Sequence, residues 1–118
     1  LKKKNIKNAK ILIIGLGYKK NINDMRESPS IPIINALKKR NHKISYSDKF
    51  IKKIPKIKNF DNKLVNIKLS EKNLAKFDCS LILADHDYYD YKKIFKFSKL
   101  IFDSRFAYKK KHKNVVRV

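Results

Sequence analysis

Residues 10–15 read KILIIG and residues 79–84 read CSLILA. Each is a short, nearly continuous apolar run, and the first ends on glycine. Runs of this length without alternation mark strands buried on both faces. Such strands need helices above and below them, which excludes an open one-sided sheet and confines the chain to a layered α/β arrangement. Helical patterns lie between the strands. Ser28-Pro29 is a helix start, with serine as N-cap and proline in the first helical position, unless Pro32 moves the start nearer Ser30. Ile31, Ile34 and Leu37, with Ile33 beside them, form its apolar face. Lys38, Lys39 and Arg40 sit at its carboxyl end, where the helix dipole favours cations. Asn41 is the expected left-handed terminator.

The remaining segments continue the alternation. Residues 42–48 predict a second strand. Residues 50–63 have no clear period, residues 64–69 predict a short extended piece, and residues 70–76 a short helix. Residues 85–90 form a polar, aromatic loop, and residues 91–97 a helix with Ile94 and Phe95 inward. Residues 99–103 predict another strand, and residues 115–118 close the chain as a short apolar segment. Strands alternating with helices give a Rossmann-like parallel sheet with helices on both faces, as a single domain. The domain covers residues 10–118, after a lysine-rich linker or tail at residues 1–9. Ligands of such sheets sit beyond the carboxyl ends of the strands. Residues 15–26, 85–90 and 103–105 therefore fall on one rim.

Composition adds limits. The 118 residues leave no room for a second full core. No apolar run approaches the roughly 20 residues needed to span a bilayer. The start, Leu1 to Asn5, has no apolar segment behind it, so no signal peptide is expected. It begins with Leu rather than Met, as a piece of a longer protein would. The single cysteine, Cys79, allows no internal disulfide and fits a reducing cytoplasm. The formal charge of +21 would ordinarily point to nucleic acid. However, its sources are almost all lysine, spread along the whole chain, with only Arg26, Arg40, Arg105 and Arg117 as arginine. Lysine, asparagine and isoleucine are abundant together, which a genome rich in A and T would produce without any partner. A stand-alone basic α/β module for nucleic acid is the alternative reading.

The rim carries the chemistry. Gly15-Leu16-Gly17 opens like a dinucleotide turn, but the third glycine is absent and no helix follows at once. On its own it is a tight strand-to-loop turn. Asp48 stands where a ribose-binding acid might end the second strand, and a capping or loop role is expected instead. Lys19 can place a charge on a phosphate or be one more solvated lysine. Arg105 can fork onto a diphosphate or ribose, or pair with Asp103 or Asp24. Arg26, between Asp24 and Glu27, is either an ion-pair partner or a ligand contact. Asp85, His86, Asp87 and Asp90 share one loop, which suits capping of the next helix better than a metal site. Cys79, inside a buried strand, reads as a core thiol.

In order, these stretches resemble a known module. "GLGYKKNINDMRESPS" looks like the G-x-x-Y/F-K-x-x-x-x-D-x-R-E-S-P signature that opens the C-terminal domain of the UDP-glucose/GDP-mannose dehydrogenase family. "ISYSD" is similar to that domain's second strand, with Lys49 in place of the usual proline. "LILADHDYYDY" resembles its A-T-D-H-x-x-(F/Y) stretch, with Asp85 where threonine is common, and "LIFDSRF" resembles its D-x-R ending. "NVVRV" fits the tail. The His86 stretch leans toward the bacterial UDP-N-acetylhexosamine and UDP-N-acetylmannosaminuronate branch.

The resemblance implies an NAD-dependent, two-step oxidation of a UDP-sugar's C6 alcohol to a carboxylate for polysaccharide precursors, in a cytoplasmic enzyme. It also implies an N-terminal NAD-binding domain and a central dimerising domain, absent here, which hold the catalytic cysteine, lysine and asparagine. Cys79 matches none of these. By motif position, Tyr18 and Lys19 contact the UDP-sugar, Arg105 holds its nucleotide end, and Arg26 reaches the NAD bound by the absent domain. No catalytic residue and no metal ligand is expected in this chain.

Overall fold

A computed structural model describes residues 8–17, 28–84, 86–87, 89–105, 107–108 and 112–117. Among these residues, five strands form one sheet: β1 (Lys10–Ile14), β2 (Lys43–Ser47), β3 (Cys79–Ile82), β4 (Ile101–Asp103) and β5 (Val115–Arg117). Their order across the sheet is β2-β1-β3-β4-β5, and every pairing is parallel. Among the described residues, the connections contain three helices: α1 (Ser30–Lys39), α2 (Glu71–Lys76) and α3 (Tyr91–Phe97).

The apolar runs produce this arrangement directly. Ile11 and Ile13 of β1 pack on one face with Ile34 of α1, while Leu12 and Ile14 pack on the other with Leu74 of α2 and Ile94 of α3. Each fully buried side chain of this size contributes roughly 1.5–3 kcal/mol, enough to hold a highly charged chain together. The chain moves from β1 to β2 in one direction and then back across β1 to β3 in the other. Right-handed crossovers that reverse direction must change face. This puts α1 on one side and α2 and α3 on the other.

Local signals hold with small shifts. Helix α1 begins at Ser30, with Pro29 as its flanking residue and no side-chain cap from it. The capping oxygen still comes from Ser28, whose Oγ accepts the Ser30 N–H at 3.1 Å. Asn41 is left-handed at φ 66°. It closes α1 with His42, whose N–H reaches the Leu37 carbonyl at 3.3 Å. Ser70 caps α2 by accepting the Asn73 N–H, and Asp90 caps α3 by accepting that of Lys93.

Strands β3 and β4 are shorter than predicted. Beyond Ile82, the Leu83 and Ala84 N–H groups both turn to the Ile14 carbonyl and leave the ladder. The 64–69 piece is extended but forms only one bridge, Asn66 to Tyr46, on the outer edge of β2. The terminal apolar segment supplies the fifth strand, over Val115–Arg117. Residues 50–63 are irregular, as expected, yet Ile51 and Ile54 pack into the α1-side core.

Candidate functional site

Because all the strands are parallel, β1, β2, β3 and β4 end at one edge. The direction reverses between β1 and β3, and their carboxyl ends form the switch-point crevice where such sheets bind ligands. Gly15 lies at this point with φ +87°. A Cβ built there would stand 2.7 Å from the Ala84 Cβ and 2.8 Å from the Ala84 carbonyl oxygen. Glycine is thus required twice, by backbone angle and by the close approach of the β3 exit. The neighbouring strand ends are tied in series. The Gly15 N–H bonds the Ser47 carbonyl, Leu83 N–H the Ile14 carbonyl, and the Ser104 hydroxyl the Ile82 carbonyl at 2.6 Å.

Leu16 is held by both its peptide groups. Its N–H donates to Asp48 Oδ2 at 2.8 Å. Its carbonyl faces the Ser28 hydroxyl at 2.6 Å and the Ser30 hydroxyl at 2.7 Å. The two hydroxyl oxygens are themselves 2.8 Å apart. Each hydroxyl has one proton, so either both donate to the carbonyl or one relays through the other.

Asp48 is the most connected side chain of the rim. It is 2% exposed. Its Oδ1 accepts from the Phe50 and Ile51 N–H groups, and its Oδ2 lies 3.7 Å from Nε2 of the equally buried His86. Burial alone would raise the Asp48 carboxyl. The adjacent His86 imidazole and the backbone donors of Leu16, Phe50 and Ile51 outweigh it and hold the carboxyl below the ordinary carboxylate range. Asp48 therefore has the loop role expected from the sequence, but it reaches farther than its own loop. Asp48 is buried and already accepts three backbone N–H groups, so it is not open to a ribose, and among the described residues the next helix after the glycine turn begins at Ser30. Among the described residues, nothing at this crevice completes a dinucleotide site.

Asp103, at the end of β4, is also buried, and its oxygens accept the backbone N–H groups of Arg105, Ala107 and Tyr108. The carboxylate is thus taken up by backbone and does not hold the Arg105 guanidinium. Arg105 is exposed at the strand end, and among the described residues its side chain has no ion pair. Three tyrosine hydroxyls brace the same rim: Tyr89 to the Ser47 carbonyl, Tyr91 to that of His86, and Tyr108 to that of Tyr91. Burial, with Asp103 nearby, pushes the Tyr108 phenol well up, which keeps it a neutral donor.

Of the sequence-predicted site residues, Arg105 stands on the rim as expected. Tyr18, Lys19 and Arg26 lie outside the described residues, as does Asp85 of the loop considered for metal. Among the described residues, no cluster of three or more His, Cys, Asp and Glu could hold a metal ion. Cys79 is buried, and burial with Asp78 nearby pushes its thiol up to about 11, the behaviour of a core thiol and not a nucleophile. Sequence reasoning missed the binding of Ser28 and Ser30 to Leu16, because it took the serine pair only as a helix start. A depression of about 630 Å³ opens beside the outer edge of β2, lined in part by Lys49, Lys52, Lys68 and Lys93. Among the described residues, its lining includes neither Gly15 nor Arg105. It adjoins the rim at the β2 end, since Ser47, Asp48 and Tyr89 also line it.

The UDP binding domain of the UDP-glucose/GDP-mannose dehydrogenase family matches residues 12–110 of this chain. The chain belongs to that family. The UDP-N-acetyl-D-mannosamine dehydrogenase of Methanococcus vannielii is 34% identical over 87 residues, and that of Methanococcus maripaludis is 34% identical over the same length. The match takes in 74% of this chain and 18% of either relative, so the chain corresponds to less than a fifth of their length. Among solved structures, UDP-D-ManNAc dehydrogenase from Pyrococcus horikoshii superposes with a TM-score of 0.68 at 23% identity, covering 98% of this chain and 27% of that one. NDP-N-acetyl-D-galactosaminuronic acid dehydrogenase from Methanosarcina mazei Go1 gives 0.66 at 21%, covering 98% and 25%. These confirm the Rossmann-like fold of the UDP-binding C-terminal domain. The nucleic-acid alternative finds no support among them. Among the described residues, no helix is long and apolar enough to cross a membrane.

Proposed function

We propose that this UDP-binding domain grips the nucleotide end of a UDP-sugar at the carboxyl-end rim of its sheet, as one part of an NAD-dependent UDP-sugar 6-dehydrogenase. The observation that carries the reading is Arg105. It is exposed at the end of β4 while Asp103 is fully engaged by backbone donors, so the fork is available to a diphosphate or ribose. Tyr18 and Lys19 supply the remaining contacts to the UDP-sugar, and Arg26 reaches toward NAD. The lack of a completed dinucleotide site among the crevice's described residues agrees with an NAD site on another domain. The catalytic residues and the dimer contact belong to the N-terminal and central domains, in the same polypeptide or in a separately encoded partner. The complete enzyme would oxidise the C6 alcohol to a carboxylate in the cytoplasm. The names of the methanococcal relatives favour a UDP-N-acetylhexosamine substrate. This chain alone would have no dehydrogenase activity.

Calorimetric titration with UDP and UDP-N-acetylglucosamine, with NAD as control, tests the reading. Both uridine ligands are expected to bind and NAD is not. Arg105→Ala is expected to weaken UDP by about 1.5–3 kcal/mol, the worth of charge-assisted hydrogen bonds. If Arg105→Ala binds UDP as tightly as the parent, the site is misplaced.

A further inference from the structure

We propose that the depression beside the outer edge of β2 is a second anion site, shaped for a phosphate-bearing small molecule with an apolar body, such as a nucleoside diphosphate. The site is built of described residues and does not depend on the role given to Arg105.

The depression, of about 630 Å³, falls within the size range of small-molecule sites. Three segments meet around it: the β2 exit with Lys49 and Lys52, the extended piece with Lys68, and the first turn of α3 with Lys93. Ile67, Leu69 and Tyr89 give it apolar surface between these cations. Its lining holds four lysines against two acids, Asp48 and Asp90. Asp48 turns its charge inward, to the N–H groups of Leu16, Phe50 and Ile51. Asp90 gives one oxygen to the Lys93 N–H. Among the described residues, Lys52, Lys68 and Lys93 have no ion pair. The lining is therefore left positive, and an ammonium group is a point charge suited to a phosphate.

A lysine-rich chain scatters ammonium groups over its whole surface, so their number alone decides nothing. What sets this group apart is its footing. The Lys52 carbonyl accepts the hydroxyl of buried Tyr46 at 3.0 Å. The Lys68 carbonyl accepts the Ser70 N–H and the Asn73 side-chain amide, each at 2.9 Å. The Lys93 N–H is held by Asp90 at 3.1 Å. The extended piece is tied to the edge of β2 by the Tyr46 N–H to the Val65 carbonyl and the Ile67 N–H to the Tyr46 carbonyl. Asn66 joins it to the β2 exit with both ends of its amide, accepting the Asp48 N–H and donating to the Asp48 carbonyl. Cations on fixed supports lose less freedom when a ligand binds. The apolar surface among them adds an attraction that a bare inorganic anion cannot use.

Titration of the 118-residue chain with ADP and with inorganic pyrophosphate, followed by amide resonances, tests the site. Salt of about 0.15 M screens the distant charges. ADP is expected to shift Ile67, Leu69 and Lys93, and to bind several-fold more tightly than pyrophosphate. The variant Lys52→Gln/Lys68→Gln/Lys93→Gln should weaken ADP about tenfold or more. Lys39→Gln/Lys43→Gln/Lys99→Gln removes the same charge from exposed positions at the amino ends of the sheet, and should change ADP binding less than about twofold. Circular dichroism checks that both variants are folded. Equal losses in the two variants would show diffuse attraction to a basic chain and overturn the site. Shifts at Gly15 and Arg105 without any at Ile67 and Leu69 would put the nucleotide on the rim and overturn it too. Pyrophosphate binding as tightly as ADP would overturn the fit to an organic body.

Discussion

Strand β4 ends on a buried aspartate and β2 runs directly into one, and the two ends behave differently. Asp48 and Asp103 are 2% and 1% exposed, and each accepts backbone N–H groups just after its own strand. Asp103 stops there, with donors two, four and five residues ahead of it. Asp48 also takes the Leu16 N–H, 32 residues away in sequence, and borders His86. One carboxylate shapes a single loop, while the other joins three strand exits. The same residue type at the carboxyl end of a parallel strand can therefore serve local or long-range order. The neighbours decide which. β2 lies beside β1, whose exit folds over it at the switch point, whereas β4 lies away from that reversal.

The largest effect should come from breaking the long-range end. Asp48→Ala leaves three backbone donors, two of them buried, without their acceptor and is expected to cost roughly 3–5 kcal/mol in denaturant unfolding. Hydrogen exchange should speed up at Leu16 as well as at Phe50 and Ile51. If it accelerates only at Phe50 and Ile51, the joint between exits is not real. Gly15→Ala asks whether the β1 and β3 exits can separate. Its Cβ would fall on the backbone of Ala84, and the left-handed angle adds strain, so a loss of roughly 2–4 kcal/mol is expected. Asp103→Ala should cost about 2–3 kcal/mol, with faster exchange confined to residues 105–108.

The smallest effect is on acid stability. A carboxyl held below its unfolded value adds stability above that value, about pH 4 for aspartate, and loses it as pH falls through the folded one. The stability gap between the parent and Asp48→Asn, read from urea midpoints, should therefore narrow on acidification below about pH 4. A gap that stays constant down to strong acid would show that Asp48 is not the charged joint described.

Part of this rim was legible in advance. The cap on α3 was legible in the loop of residues 85–90, because capping is local, a matter of a side chain and a donor three residues on, and Asp90 supplies it. Ser70 was read as the first residue of the helix that it in fact caps. Asn41 was legible as the left-handed residue that ends α1. The ordered motifs around Gly15, His86 and Arg105 marked the family, since each keeps its residue types at fixed spacing. The Leu16 clamp was not legible. Ser28 and Ser30 look alike whether their hydroxyls serve their own helix or a carbonyl 12 and 14 residues back. Nothing local in "ISYSD" distinguishes an aspartate that caps its own turn from one that reaches another strand.

The sequence by itself determined the layered α/β class, the helix ends and the family. Those rest on periodicity, local hydrogen bonding and fixed motif spacing, which are properties of neighbouring residues. It also placed Arg105 on the carboxyl-end rim, because every parallel strand must end there. Only the tertiary structure decided the rest. The strand order set which exits touch, and the contact of Gly15 with Ala84 left no room for a side chain. Asp103 was claimed by backbone donors, leaving Arg105 exposed. Asp48 was turned inward to the one buried N–H group that its own strand does not supply. Buried polar groups must find partners wherever packing brings one near. Which partner that is depends on distances in the folded core, and no spacing along the chain encodes them.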